Sequence, residues 1–203
     1  NYVDTYTVPL IQLARKLAGL MPGDLEVSFF VNSGSEANET AIKMAKQYHI
    51  ERGDKGRFKI IGRKHSYHAT TLGGTSATGL AWFREYFEPL MPGFIIGPSA
   101  HATASELGLE DPDGLAGLRA MEALVEWEGP DSIAALIMDP IPGSNVGYPL
   151  PPKGYLRGIR DLCDKHGILL IFDEVQTGFG KTGKWFACEH WNVVPDIMTI
   201  GKG

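Results

Sequence analysis

The run Ile168-Leu169-Leu170-Ile171-Phe172-Asp173-Glu174-Val175-Gln176 decides the fold. Its apolar part, 168–172, is too short for a core helix and does not alternate with polar residues, so it reads as a strand buried on both faces. A helical pattern over 155–166, closed by Gly167, leads into it. The run Ile133-Ala134-Ala135-Leu136-Ile137-Met138 repeats the arrangement, following a helix at 115–127 and the breaker Gly129-Pro130. Working outward, Leu10, Leu13, Ala14, Leu17 and Leu20 fall at helical spacing before Met21-Pro22-Gly23-Asp24 ends that helix. Residues 27–31 read as another buried strand. Residues 36–49 read as a helix with the stripe Ala37, Ala41, Met44, Ala45 and Tyr48, and 58–61 and 197–200 as strands. Residues 79–113, with Trp82, Phe83, Tyr86, Phe87 and Phe94 scattered through them, read as a long, partly helical loop. Short apolar strands alternating with helices imply an α/β fold, a mostly parallel open sheet covered by helices in three layers.

Composition narrows the class. The 203 residues carry 19 Lys+Arg against 24 Asp+Glu, a net charge of −5, with 43% hydrophobic and 21% charged residues. That is enough apolar material for a sizeable core and argues against a disordered chain. An acidic balance disfavours broad nucleic-acid binding, which needs Lys and Arg to displace counterions. Cys163 and Cys188 do not make a disulfide framework, so reduced thiols and a cytoplasmic setting are expected. The apolar runs are too short to span a bilayer. The sequence opens at Asn1 rather than Met and stops directly after a strand-like run, so a fragment of a longer protein is expected.

Ligands of open parallel sheets sit beyond the carboxyl ends of the strands, so the residues following each strand matter most. Ser33-Gly34-Ser35-Glu36-Ala37-Asn38 opens a helix with capping-box spacing between Ser33 and Glu36. A helix start carries free N–H groups and accepts a phosphate readily; an ordinary capped helix would look the same. Asp173, after five apolar residues, is a carboxylate that needs a partner. An ATPase strand would resemble it, and Gly180-Lys181-Thr182 supplies the tail of a phosphate loop. That loop requires Gly five residues before Gly180, and position 175 is Val. Gly178, Gly180 and Gly183 satisfy G-x-G-x-x-G, but Asp-Glu-Val-Gln separates them from the strand and no helical stripe follows. His65-Ser66-Tyr67-His68 follows one strand and Gly201-Lys202-Gly203 another. His65 and His68 have no third ligand at metal spacing, so no metal is expected. A phosphate cup, an aromatic beside a histidine, a buried carboxylate and a lysine together suit an aromatic phosphorylated cofactor held on the lysine.

Over nearly its whole length the chain resembles the class III (ω-type) aminotransferases, which use pyridoxal 5′-phosphate (PLP) on fold type I. The resemblance rests on Asn32-Ser33-Gly34-Ser35-Glu36-Ala37-Asn38 and Ser66-Tyr67-His68, then on the run from Leu170 through Asp173-Glu174-Val175-Gln176-Thr177-Gly178-Phe179-Gly180-Lys181-Thr182-Gly183. Pro195-Asp196-Ile197 and Gly201-Lys202-Gly203 complete it. The resemblance implies that residues 1–203 are part of the large PLP-binding domain of a homodimer that moves an amino group from an amine or ω-amino acid to a keto acid. Gly34 and Ser35 would bind the cofactor phosphate, Tyr67 would stack on one ring face with His68 beside it, and Val175 would press the other face. Asp173 would pair with the pyridine nitrogen, and Gln176 would bond near the ring hydroxyl. Lys202 would form the Schiff base and then move the substrate proton as general base and acid. Two positions depart from the family pattern. Asp139-Pro140 stands where Glu-Pro is usual, at a carboxylate that supports the cofactor's hydrogen-bond network, and Ala69 stands where Gly often follows Tyr-His. A same-fold decarboxylase or aminomutase shares cofactor and fold, and a nucleotide-binding module or an idle remnant is the alternative outside this chemistry.

Overall fold

Parallel strands need long crossover connections, and this chain supplies most of them as helices, the link from 175 to 196 being a loop with one 3-10 turn. In the computed structural model, which describes residues 6–102, 104–108 and 111–202, the chain begins α1 (Val8–Ala18), α2 (Gly34–Glu51), β1 (Lys59–Lys64), α3 (Leu72–Ala77) and β2 (Thr78–Gly79). It continues α4 (Ala81–Arg84), β3 (Phe94–Gly97), α5 (Ala104–Leu107), α6 (Ala116–Glu128) and β4 (Ile133–Met138). It ends α7 (Tyr155–His166), β5 (Leu169–Glu174) and β6 (Ile197–Ile200). All six strands pair in parallel in the order β2–β1–β4–β5–β6, with β3 on the same side of β1 as β2. The chain thus leaves β1 toward one side of the sheet and returns as β4 on the other. The order reverses between β1 and β4, and open sheets bind ligands beyond the carboxyl ends of the strands at such a point.

Alternation along the central strands separates two cores. Ile133, Leu136 and Met138 of β4, with Leu170 and Phe172 of β5, pack against Leu118, Met121 and Val125 of α6 and Tyr155, Leu156, Ile159 and Leu162 of α7. Ala134, Ala135, Ile137 and Ile171 face the other way, toward Ala41, Ile42 and Ala45 of α2. Every residue of β4 is buried, as a strand covered on both faces requires. The expected α/β class is therefore observed, with the strands at 133–138 and 197–200 and the helix at 155–166 falling where their patterns placed them. Among the described residues no helix is long and apolar enough to cross a membrane.

Three expectations change. Residues 27–31 form no strand; Val27 is 97% exposed. The segment stands off from β6 across a cleft of about 450 Å³, and an apolar run becomes a strand only where another strand accepts its hydrogen bonds. The buried face of α2 is Asn38, Ala41, Ile42, Ala45 and His49, with Met44 and Tyr48 exposed. Two polar residues turn this face because each has a partner inside: His49 Nε2 bonds the Ala134 carbonyl at 2.9 Å, and Asn38 reaches Asp173. Finally, the span 79–113 contains β3, whose pairing with β1 at Ile60–Phe94 through Arg63–Gly97 was hidden by its brevity and by a closing glycine.

Ala69 fits because of Gly74. A Cβ on Gly74 would lie 2.0 Å from that of Ala69, so the methyl group at 69 occupies the space that the glycine of α3 leaves open. Gly74→Ala is expected to destabilise the protein by about 1–3 kcal/mol through overpacking. Adding Ala69→Gly should recover most of that loss, a non-additive pair that urea unfolding of the single and double variants would measure. Fully buried Cys163 on α7 supplies a second expectation, since burial raises its thiol from an ordinary 9.0 to about 12. The neutral thiol is then favoured in the folded state, so this contribution to stability is complete below pH 9 and lost as pH climbs toward 12. Denaturant midpoints should fall less steeply between pH 8.5 and 11 (roughly the span of that titration) in Cys163→Ala than in wild type.

Candidate active site

Consecutive strand residues point to opposite faces, and at the end of β5 this assigns two carboxylates to different tasks. Glu174 faces the core that holds Phe186 and Cys188. It is fully buried and accepts from Thr177 Oγ1 (2.6 Å), Ala187 N (2.9 Å) and Cys188 N (2.8 Å). Burial, with the Glu174 charge beside it, pushes the Cys188 thiol well up. Glu174 thus folds the loop 175–188 back on the strand.

Asp173 faces α2. Its Oδ2 accepts from Asn38 Nδ2 (2.7 Å) and His68 Nδ1 (2.9 Å), and its Oδ1 from Val175 N (3.1 Å). A carboxylate has about four acceptor positions, so one remains on Oδ1. The side chain is buried, and none of its three donors is a lysine or arginine. His68 is buried, with its backbone N–H held by Thr78 Oγ1 at 3.0 Å and no described partner on Nε2.

The start of α2 lies against the same spot. Ser33 Oγ accepts from Glu36 N (3.2 Å), while the Glu36 carboxylate takes Asn32 N (2.7 Å), one residue before the expected capping-box partner. Gly34 and Ser35, the first helical residues, keep N–H groups without intrahelical acceptors. A Cβ at Gly34 would lie 2.7 Å from Val175 Cγ1, and one at Gly201 would lie 3.4 Å from it. The Val175 side chain is therefore wedged between the helix start and the loop after β6. Ser35 Oγ accepts from Thr70 N (3.2 Å), which ties in the loop after β1.

That loop carries Tyr67, half-buried, with its ring 5.1 Å from that of Phe83. Burial raises its phenol, and the charge of Asp173 adds to the effect, which places the ring within the field of that carboxylate. Asp139 follows β4 and holds the loop from below. Its Oδ1 accepts from Arg63 Nη2 (3.0 Å) and Ser66 Oγ (2.6 Å), and its Oδ2 from Tyr67 N (3.4 Å). Arg63 is fully buried, donates also to the Asp139 carbonyl (2.8 Å), and lies 5.8 Å from the Tyr155 ring. Gln176 Nε2 donates to Tyr148 Oη (3.1 Å). Lys202 is exposed and sits at φ 44°, the left-handed region, with its carbonyl accepting from Lys181 Nζ.

Gly34, Ser35 and Val175 therefore converge on one cup with Asp173, His68 and Tyr67, while Asp139 meets the Tyr67 backbone, Gln176 turns to Tyr148, and Lys202 lies on the loop beyond Gly201. Four participants escaped the sequence reading. Asn38 and Arg63 each carried a signal, a polar residue on an apolar helix face and a cation inside a strand. Thr199, whose hydroxyl donates to Asn38 Oδ1 at 2.7 Å, and Lys181 carried little, one being a hydroxyl in an apolar strand and the other a lysine in a glycine-rich turn.

Similarity to known proteins identifies the family of the chain. The family model described as "Aminotransferase class-III" matches residues 4–203, and the chain belongs to that family. It is 46% identical over 197 residues to the uncharacterized aminotransferase YhxA of Bacillus subtilis (strain 168), covering 96% of this chain and 42% of that protein. Among solved structures, the thermostable (S)-enantioselective ω-transaminase from Thermomicrobium roseum superposes with a TM-score of 0.92 at 41% identity, over all of this chain and 45% of that one. A PLP-bound amine transaminase from an uncultivated Pseudomonas species superposes with a TM-score of 0.89 at 33% identity, over all of this chain and 46% of that one. The chain thus spans less than half the length of these relatives.

Removing Arg63 would leave the Asp139 carboxylate buried without its cation. Arg63→Met is expected to cost about 3–5 kcal/mol of stability. The double variant Arg63→Met/Asp139→Asn should lose clearly less, because the stranded charge goes with its partner. Chemical denaturation of the two proteins beside wild type checks this.

Proposed function

We propose that the protein carrying this chain is a PLP-dependent aminotransferase that moves an amino group from an amine or ω-amino acid to a keto acid. One observation carries the reading: a buried carboxylate with a single open acceptor position stands beside a helix start with free N–H groups, bridged by Val175. Such a pair suits a ligand with a ring N–H at one end and a phosphate at the other. Transaminases among the structural neighbours support amino-group transfer over decarboxylation or aminomutation on the same fold. When bound, pyridoxal phosphate supplies an electron sink for the carbanion formed at the substrate carbon.

The residues of this chain divide the remaining work. Gly34 and Ser35 hold the phosphate with backbone N–H groups and a hydroxyl. Tyr67 and Val175 confine the ring between aromatic and aliphatic faces, and His68 supports Asp173 from the side opposite its open acceptor. Asp173 meets the ring nitrogen and, as an anion, favours its protonated form. Asp139 acts on the ring through the loop, by holding the Tyr67 backbone. Gln176 serves the ring hydroxyl. Lys202 would hold the cofactor's aldehyde carbon, and its amine, when free, would be the group of this chain that takes up and returns a proton there. On this reading residues 1–203 are part of the large cofactor domain, and the complete enzyme is a cytoplasmic homodimer.

Titrating the full-length protein with PLP should produce a visible absorption band. Borohydride reduction followed by peptide mapping should place the label on Lys202, and Lys202→Ala should abolish both. A label on Lys181 instead, or a folded protein without any band, would overturn the assignment.

A further inference from the structure

Asn38 bonds to every group around it that could define its orientation. It is fully buried on the inward face of α2. A primary amide offers two N–H donors and a carbonyl acceptor. Nδ2 donates to Asp173 Oδ2 at 2.7 Å and to the His68 carbonyl, while Oδ1 accepts from Thr199 Oγ1 at 2.7 Å. A flipped amide would turn its oxygen toward a carboxylate and a carbonyl, and its NH2 toward a hydroxyl donor. Only one orientation satisfies the site.

The strand register explains why one side chain reaches all three partners. Asp173 and Thr199 are lateral neighbours in the parallel pair β5–β6, so their side chains stand side by side on the face that α2 covers. Asn38 spans them and adds the loop after β1 through His68.

We propose that Asn38 is a positioning residue for Asp173, and that Thr199 is its lock. Together Asn38 and His68 occupy both acceptor positions of Oδ2, which leaves the open one on Oδ1, beside the Val175 N–H. The torsion that turns a carboxylate is soft and broad. Without the Asn38 donor, Oδ2 regains an open acceptor position and Asp173 no longer presents a single oxygen to the cofactor's ring nitrogen. The inference rests on the cofactor reading above and extends it to a residue that touches neither cofactor nor substrate.

A structural brace and a positioning residue differ in one readout. Loss of a brace weakens every ligand of the cup alike, whereas loss of Asn38's positioning weakens only a ligand that has the ring nitrogen. Apo forms of full-length wild type, Asn38→Ala and Thr199→Val are titrated with PLP and with its analogue carrying CH in place of that nitrogen. Wild type should prefer PLP. Asn38→Ala should reduce that preference about tenfold, the scale of one hydrogen bond to a charged group, with affinity for the analogue unchanged. Thr199→Val, which keeps the volume and removes only the hydroxyl, should reduce it by a smaller factor and gives the answer if Asn38→Ala does not fold. Equal losses for both ligands, or an unchanged preference in the variants, would overturn the proposal alone. Wild type that binds neither ligand would overturn the cofactor reading, and this inference with it.

Discussion

Burial of the Asp173 carboxylate is the constraint on which the rest of the site depends. A buried anion without donors is too costly to keep, and β5 offers only the Val175 N–H from its own end. The other donors come from far along the chain, Asn38 from α2 and His68 from the loop after β1. Satisfying one side chain therefore fixes the approach of a helix and a loop to the end of a strand. The approach of α2 carries its first turn to Val175, and the approach of the loop carries Tyr67 toward Asp173.

Much of the fold was legible because its signals are local. β4 and β6 are short apolar runs between breakers, and α7 ends at a glycine that adopts φ 64°. What was illegible depends on partners. Residues 27–31 have the composition of a strand and no strand beside them. β3 has only four residues, and its standing as a strand rests on pairing with β1. The face of α2 was misjudged by about one residue because periodicity counts apolar side chains, whereas this helix also buries Asn38 and His49 against specific acceptors.

The site divides along the same line. Gly34, Ser35, Tyr67 and Asp173 follow strands or open a helix, positions that pattern picks out as candidates for ligand contact, whereas Val175 enters only through the family resemblance. Asn38, Thr199 and Arg63 bond to other side chains, so even where the sequence marks them, as it does Asn38 and Arg63, the groups they hold appear only once the sheet register is known. Arg63 also bears on the shortened carboxylate at position 139. It donates to both the side chain and the carbonyl of Asp139, and that side chain in turn meets the Tyr67 backbone. At this position the carboxylate is integrated into the support of the loop.

Three buried carboxylates close the carboxyl ends of β4 and β5, and their partners separate their roles. Asp139 carries its own cation in Arg63, so its charge is already neutralised. Glu174 has no cation either, but it is fully buried on the core face, where a hydroxyl and two backbone N–H groups pin a loop to it. Asp173 accepts two backbone or amide donors and an imidazole, has no guanidinium or ammonium partner, and retains an acceptor position on Oδ1. Of the three it is therefore the one prepared for an incoming cationic N–H. That preparation comes from the pleat, which turns Asp173 and Glu174 to opposite faces, and from α2, which covers one face and not the other.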